Sequence, residues 1–136
     1  MELEGAAAQA GADAGGEPAG MHRDDAGRLV VHGRDLVRRA VEDLRAGTAA
    51  AVCAARFHAA LARTVAEVCR RIRDAQGLDC VALSGGVFAN SLLLDQVYGL
   101  LTDAGFEVLL NSEVPAGDGG ISLGQAAVAA WRCACA

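Results

Sequence analysis

The feature that most constrains the fold is the alternation of short apolar runs and helical patterns in the second half of the chain. Residues 78–84 (LDCVALS) and 106–111 (FEVLLN) have the length and aliphatic content of buried strands. Residues 87–105 and 121–134 follow them with helical periodicity, and Gly105 ends the first helix. Strand, helix, strand, helix with short connections predicts parallel strands and a right-handed crossover. The fold class is therefore α/β, with a small parallel sheet flanked by helices.

The first half of the chain is predicted to contain one strand and two helices. The strand covers 27–33, and an amphipathic helix follows over 34–47. The apolar face of this helix consists of Leu36, Val37, Ala40, Val41 and Leu44. A longer helix runs from Thr48 to about Ala75 and stops at Gly77. Its continuous apolar stripe consists of Val52, Ala55, Ala59, Ala62, Val65, Cys69 and Ile72. We expect this stripe to be buried against a neighbouring helix or sheet.

The two ends of the chain are expected to lie outside the folded unit. Residues 1–21 consist mainly of Ala, Gly and acidic residues, a composition that predicts a disordered low-complexity tail. The folded lobe is placed at 22–132 and a short second tail at 133–136. A two- or three-stranded sheet has exposed edges, so we expect an obligate partner or a tendency to aggregate.

Composition excludes several classes of protein. The net charge of −5 and the pI of about 5.1 argue against a nucleic-acid-binding surface. No apolar run approaches the roughly 20 residues that cross a bilayer, and no signal peptide is visible, so the chain is expected in the cytoplasm. Its five cysteines (Cys53, Cys69, Cys80, Cys133 and Cys135) lack the paired spacing of a zinc site and are interpreted as structural or incidental thiols.

A first glycine turn, Ser84-Gly85-Gly86, lies directly between a predicted strand and a helix. In open α/β sheets, ligands bind outside the carboxyl ends of the strands. Residues without a Cβ atom let an anion reach the backbone, and the following helix N-terminus offers free N–H groups. Asn90, one turn further on, carries an amide that suits a base or a ribose. The alternative is that these glycines only form a turn.

A second glycine turn, residues 115–120 (PAGDGG), precedes the last helix. Asp118 is framed there by three glycines, which predicts a carboxylate that faces phosphate or a metal ion. The alternative is an ordinary aspartate of a turn or a helix N-cap. Neither turn matches the dinucleotide-binding G-x-G-x-x-G or the P-loop G-x-x-x-x-G-K-[ST], so both of those assignments are excluded.

Three segments in order show a family resemblance. They are RFHAALA (56–62), VALSGGVFANSLLL (81–94) and VPAGDGGISLGQAAVA (114–129). Together they closely resemble the C-terminal part of the [NiFe]-hydrogenase maturation carbamoyltransferases, the HypF family. The resemblance covers roughly residues 22–132. Phe88 and the I-S-L-G-Q motif distinguish the chain from the related tRNA threonylcarbamoyl-transfer enzymes, which share the fold and a G-G-V-x-x-N turn.

The resemblance implies part of an actin-like, sugar-kinase-like ATPase lobe. In the family, upstream domains include an acylphosphatase-like domain, zinc fingers and a domain that makes carbamoyl-adenylate from carbamoyl phosphate and ATP. The last domain transfers the carbamoyl group to the C-terminal cysteine of the partner protein HypE, for synthesis of the cyanide ligands of the hydrogenase iron. The implied partners are therefore HypE and the upstream domains, in cis or in trans, with no nucleic acid and no membrane.

The resemblance also implies site residues. The nucleotide (ATP or carbamoyl-adenylate) would be bound by Ser84, Gly85, Gly86, Asn90, Gly119 and Gly120. Asp118 would be a ligand of a divalent metal, either Zn, Fe or Mg. The family completes this metal site with two upstream histidines spaced H-x-x-x-H, and neither His22 nor His32 belongs to such a pair. His58, in the matched RFH stretch, is interpreted as a structural or interface residue.

These departures leave alternatives open. With an incomplete metal site and no adenylate-forming domain, the chain alone is expected to be inactive, as the C-terminal part of a larger enzyme. A second hypothesis is a non-catalytic binding or scaffold fragment that kept the fold and lost the chemistry. A third is a remnant of a tRNA threonylcarbamoyl-transfer enzyme.

Overall fold

The computed structural model describes residues 2–10 and 15–134. Along these residues the elements are α1 (Glu2–Gln9), β1 (Met21–Arg23), β2 (Leu29–Val31), α2 (Arg34–Arg45), α3 (Ala50–Gln76), β3 (Cys80–Leu83), α4 (Ser91–Asp103), β4 (Glu107–Leu110) and α5 (Ile121–Ala134). Short 3₁₀ turns precede α4 and α5, at Gly86–Ala89 and Asp118–Gly120. None of the described helices combines the length and apolar content that crossing a membrane requires.

Strands β3 and β4 form the predicted parallel pair, joined by α4. Their register runs from Cys80 opposite Glu107 to Leu83 opposite Leu110. The carboxyl ends of both strands therefore lie at one edge of the sheet, next to each other. This confirms the α/β class. β1 and β2 form a separate antiparallel hairpin. Sequence patterns missed β1 because its three residues, MHR, show no apolar alternation.

Helix α3 is the centre of the packing. Its stop at Gly77 is confirmed: this residue has φ +71° and its N–H donates to the Arg73 carbonyl. Small side chains on α3 let α4 and the sheet approach closely, and Arg73 stacks 4.1 Å above the ring of Phe106. The main core cluster consists of Ala62, Ala66, Leu83, Leu93, Val97, Leu101 and Phe106.

The N-terminal segment differs from the predicted disordered tail. Residues 2–9 form α1, which packs through Ala7 on Ala54 and Ala55 of α3. Further along, the N–H of Ala19 donates to Thr64 Oγ1 at 2.9 Å. An alanine face buries little area per residue, so composition suggested disorder, but a flat face fits closely on the alanines of α3. Residues 1 and 11–14 lie outside the described residues.

Two helices have apolar side chains that the described part of the chain does not cover. On α2, Leu36 is buried, whereas Val37 and Leu44 are more than half exposed. On α5, every residue is exposed, and the structure includes Cys133 and Ala134 in this helix rather than in a tail. The predicted tail residues 135 and 136 lie outside the described residues.

Candidate functional site

The two glycine turns meet at the carboxyl edge of the β3–β4 sheet. The N–H of Gly85 donates to the carbonyl oxygen of Ala116 at 2.8 Å. Ser84 Oγ lies 3.4 Å from the same oxygen. A Cβ atom on Gly117 would lie 3.9 Å from Cα of Gly86. Because parallel strands end at the same edge, segments more than 25 residues apart in sequence form one continuous backbone surface there.

The fold requires a glycine at some positions of this surface but not at others. Gly85 has φ +98°, a conformation that other residues rarely adopt. At Gly120, a Cβ atom would lie 2.5 Å from the Pro115 carbonyl oxygen, so a side chain is excluded by close packing. At Gly86, nothing lies within 4 Å of a Cβ position and φ is not positive. The protein fold itself therefore tolerates a side chain at Gly86, where the backbone faces open space.

Both polar atoms of the Asn90 side chain bond within the protein. Its Oδ1 accepts the N–H of Leu93 at 2.9 Å, which makes it the N-cap of α4. Its Nδ2 donates to Nε2 of His58, and Nδ1 of that buried histidine donates to the Ala54 carbonyl oxygen, both at 2.9 Å. His58 thus has the structural role predicted for it. The amide of Asn90 holds the first turn onto α3.

The remaining donors at the start of α4 are occupied by a residue that sequence reasoning missed. Oε1 of Glu4, on α1, accepts the N–H and the hydroxyl of Ser91 at 2.9 and 3.0 Å, and lies 3.4 Å from the Leu92 N–H. These bonds, the Ser91 hydroxyl first, lower the pKa of Glu4. The α4 terminus expected to bind phosphate therefore already holds a carboxylate. No local signal could reveal a partner 87 residues away.

Asp118 begins the 3₁₀ turn before α5 and is exposed. In the described residues, no group of three His, Cys, Asp or Glu side chains could hold a metal ion. His58 bonds to Asn90, and His22 bonds to His32. Asp118 therefore does not form the expected metal site by itself, because one exposed carboxylate is too few ligands.

An open cleft of about 340 Å³ lies beside the second turn. Leu83, Phe88 and Leu94 form an apolar wall, and the segment 110–116 forms the other. Asn111, Ser112 and Glu113 add polar groups to that second wall. An apolar cleft with a few polar groups at the carboxyl edge of a parallel sheet is the usual form of a small-molecule site.

An α/β lobe with backbone-lined turns at its carboxyl edge belongs to the class of proteins that bind ligands at strand ends. Comparison with known families is more specific. Residues 1–125 match the family described as "Carbamoyltransferase, Kae1-like Domain, second subdomain". The chain belongs to this family, and the predicted resemblance is confirmed. The match begins at residue 1, so the family segment includes the part of the chain that we expected to be a tail.

Individual relatives agree with this assignment. The chain is 43% identical over 76 residues to carbamoyltransferase HypF of Rhodobacter capsulatus, covering 56% of this chain and 10% of that protein. It is 43% identical over 77 residues to a carbamoyltransferase HypF homolog of Cupriavidus necator, covering 57% and 20%. The chain thus matches about a tenth to a fifth of the length of these curated relatives.

Solved structures show the same fold. A crystal structure of full-length HypF in the phosphate- and nucleotide-bound form superposes with a TM-score of 0.86 at 35% identity, covering 95% of this chain and 16% of that one. The structure of T. kodakarensis HypF gives a TM-score of 0.76 at 30% identity, covering 93% and 16%. Both confirm the predicted fold.

Proposed function

We propose that this chain is the C-terminal lobe of a carbamoyltransferase and forms one wall of a cleft for ATP or carbamoyl-adenylate. The observation that carries the proposal is the bond from Gly85 to Ala116, which joins both family motifs into one surface. In the proposed reaction, the complete enzyme uses carbamoyl phosphate and ATP to carbamoylate the C-terminal cysteine of HypE, for cyanide-ligand synthesis in [NiFe]-hydrogenase maturation.

The glycine turns are the proposed phosphate contacts. Gly86 and Gly119 are exposed, and Gly86 faces open space, so an anion can reach the backbone there. Since Glu4 and Asn90 occupy the start of α4, the proposed donors are backbone N–H groups of the turns and the Ser84 hydroxyl. Asn90 contributes by holding the first turn in place. A direct contact with the nucleoside would use the second N–H or the second lone pair of its amide.

Asp118 is the carboxylate that this lobe contributes to the proposed metal site. Because no described group of three donors includes Asp118, the two histidines that the family resemblance implies are proposed to come from an upstream segment, in cis or in trans. The chain alone is therefore expected to give no carbamoyl transfer. The similarity to carbamoyltransferases HypF favours this proposal over a remnant of a tRNA-modifying enzyme.

The test combines the chain with the part of Rhodobacter capsulatus HypF that lies outside the matched region. Trp131 is the single tryptophan of the chain and is 66% exposed on α5. If the partner fragment has its tryptophans replaced, a blue shift of the Trp131 emission on mixing reports assembly. ATP affinity of the mixture is then measured by calorimetry. We expect assembly to add a second ATP site to the one that the upstream adenylate-forming domain provides, and Gly86→Val to weaken binding at the added site by about tenfold or more.

Gly33→Val is the matched control, because nothing lies within 4 Å of its Cβ position either and its φ is −54°. Unchanged ATP affinity in Gly86→Val contradicts the phosphate assignment. Assembly that adds no ATP site beyond that of the partner fragment, or co-purification with HypE without carbamoylation, supports the scaffold alternative. Absence of any assembly contradicts the proposed lobe.

A further inference from the structure

Two histidines face each other on the β1–β2 hairpin, away from the glycine turns in sequence. Nδ1 of His22 lies 2.7 Å from Nε2 of His32. The ring centroids are 4.8 Å apart and the planes are tilted by 34°. His22 is exposed and His32 is partly exposed. Two ring nitrogens therefore converge on one point that solvent can reach.

The hairpin register explains the convergence. His32 lies opposite Gly20, since its N–H donates to the Gly20 carbonyl at 2.8 Å, and His22 is two residues further along that strand. Residues two apart share a face, so the histidines are diagonal neighbours across the hairpin. Gly20 has no side chain between them: a Cβ atom there would lie 3.8 Å from Cδ2 of His32 and 3.0 Å from Oδ2 of Asp35.

We propose that His22 and His32 chelate a divalent first-row transition-metal ion. Bonds of about 2.05 Å from each nitrogen to the metal require the nitrogens to be about 2.9 Å apart for ligands at a right angle, and about 3.3 Å apart for tetrahedral ones. The observed 2.7 Å is close to the first value, and binding requires each ring to turn so that its nitrogen lone pair points at the metal instead of at the other ring. Right-angle geometry with nitrogen and oxygen ligands suits Ni²⁺ and Cu²⁺.

The charge balance of the two rings is consistent with chelation. In the hydrogen bond between the two rings, the N–H of one ring donates to the nitrogen lone pair of the other. When the metal binds, that proton moves to the outer nitrogen of the same ring, so both rings stay neutral and no proton is lost.

The neighbouring carboxylates remain outside the first coordination sphere. The carboxylate of Asp24 bonds to Arg28, and that of Asp35 pairs with Arg38 at 3.3 Å. Water fills the other coordination positions, since the described residues place no third donor with these two histidines. Imidazole is a borderline ligand, so Mg²⁺ and Ca²⁺, which prefer oxygen, are not bound.

The test is a calorimetric titration of the full chain with Ni²⁺ alone, which does not oxidise thiols. We expect one Ni²⁺ per chain, and each of His22→Gln and His32→Gln to weaken binding by about tenfold or more. The C-x-C of Cys133 and Cys135 is the competing site in the sequence. Its double serine variant is the control and keeps the affinity.

A second measurement does not depend on variants. With Zn²⁺, the ring resonances of His22 and His32 shift in NMR spectra, while those of buried His58 do not. Far-UV circular dichroism checks that both glutamine variants keep the fold. Equal Ni²⁺ affinity in both histidine variants, loss of binding in the cysteine variant, or absence of binding overturns the proposal.

Discussion

Helices α3 and α5 are both rich in alanine and other apolar residues, yet their environments are opposite. α3 is packed by α1, α2 and α4, and nine of its residues are buried. α5 has no buried residue, and it packs mainly against the 3₁₀ turn that precedes it. Its large apolar side chains, Ile121, Leu123, Val128 and Trp131, are all more than half exposed.

The difference shows that burial depends on the surfaces available to a helix rather than on the helix itself. Around α3, small residues such as Ala62 and Ala66, both 0% exposed, let neighbouring elements approach. No described helix or strand buries a residue of α5. A continuous exposed apolar surface of this kind is typical of interaction sites. This agrees with the proposal that the lobe works with upstream domains.

The largest expected effect tests the difference between the environments of α3 and α5. Leu101 is fully buried in the cluster around α3, so Leu101→Ala should lower the free energy of unfolding by about 2–5 kcal/mol through lost burial and a residual cavity. Leu123→Ala on α5 is the matched control and should change stability by less than about 0.5 kcal/mol. Urea unfolding followed by circular dichroism measures both. Equal losses would contradict the contrast between the two helices.

A smaller effect is expected at the junction of α3 and the first glycine turn. Asn90→Ala removes the α4 cap and leaves Nε2 of buried His58 without its donor, which should cost about 1–3 kcal/mol. Asn90→Ser keeps a capping oxygen and removes the donor to His58, so it should cost less. The same unfolding measurement applies. If Asn90→Ala is as stable as the exposed control Asn111→Ala, the bridge to α3 contributes nothing.

The smallest effect concerns α1 and depends on pH. Hydrogen bonds lower the pKa of Glu4 from its ordinary value of 4.5, so its charged form is favoured in the folded state. Its contribution is fully present above that value and is lost as pH falls through the folded-state pKa. The stability gap between wild type and Glu4→Gln should therefore be constant near neutral pH and close in acid. Glu2→Gln is the control, and a gap that widens in acid would contradict the bond.

Local sequence patterns predicted the parts of this fold that depend on near neighbours. Strands β3 and β4 followed from short aliphatic runs, and the end of α3 followed from Gly77. The contact between α1 and the start of α4 could not be predicted, because Glu4 and Ser91 are 87 residues apart. The same holds for Asn90: its position in the first turn was visible, but its partner His58 lies on a different helix.

The sequence alone determined the α/β class, the two glycine turns and the family, because periodicity and motif spacing are local properties. Only the tertiary structure decided that the turns touch through Gly85 and Ala116, that Glu4 occupies the α4 terminus, and that α5 has no cover among the described residues. Each of these features depends on which surfaces come into contact after folding. Contacts between residues that are distant in sequence produce no local sequence pattern, so they could not be predicted.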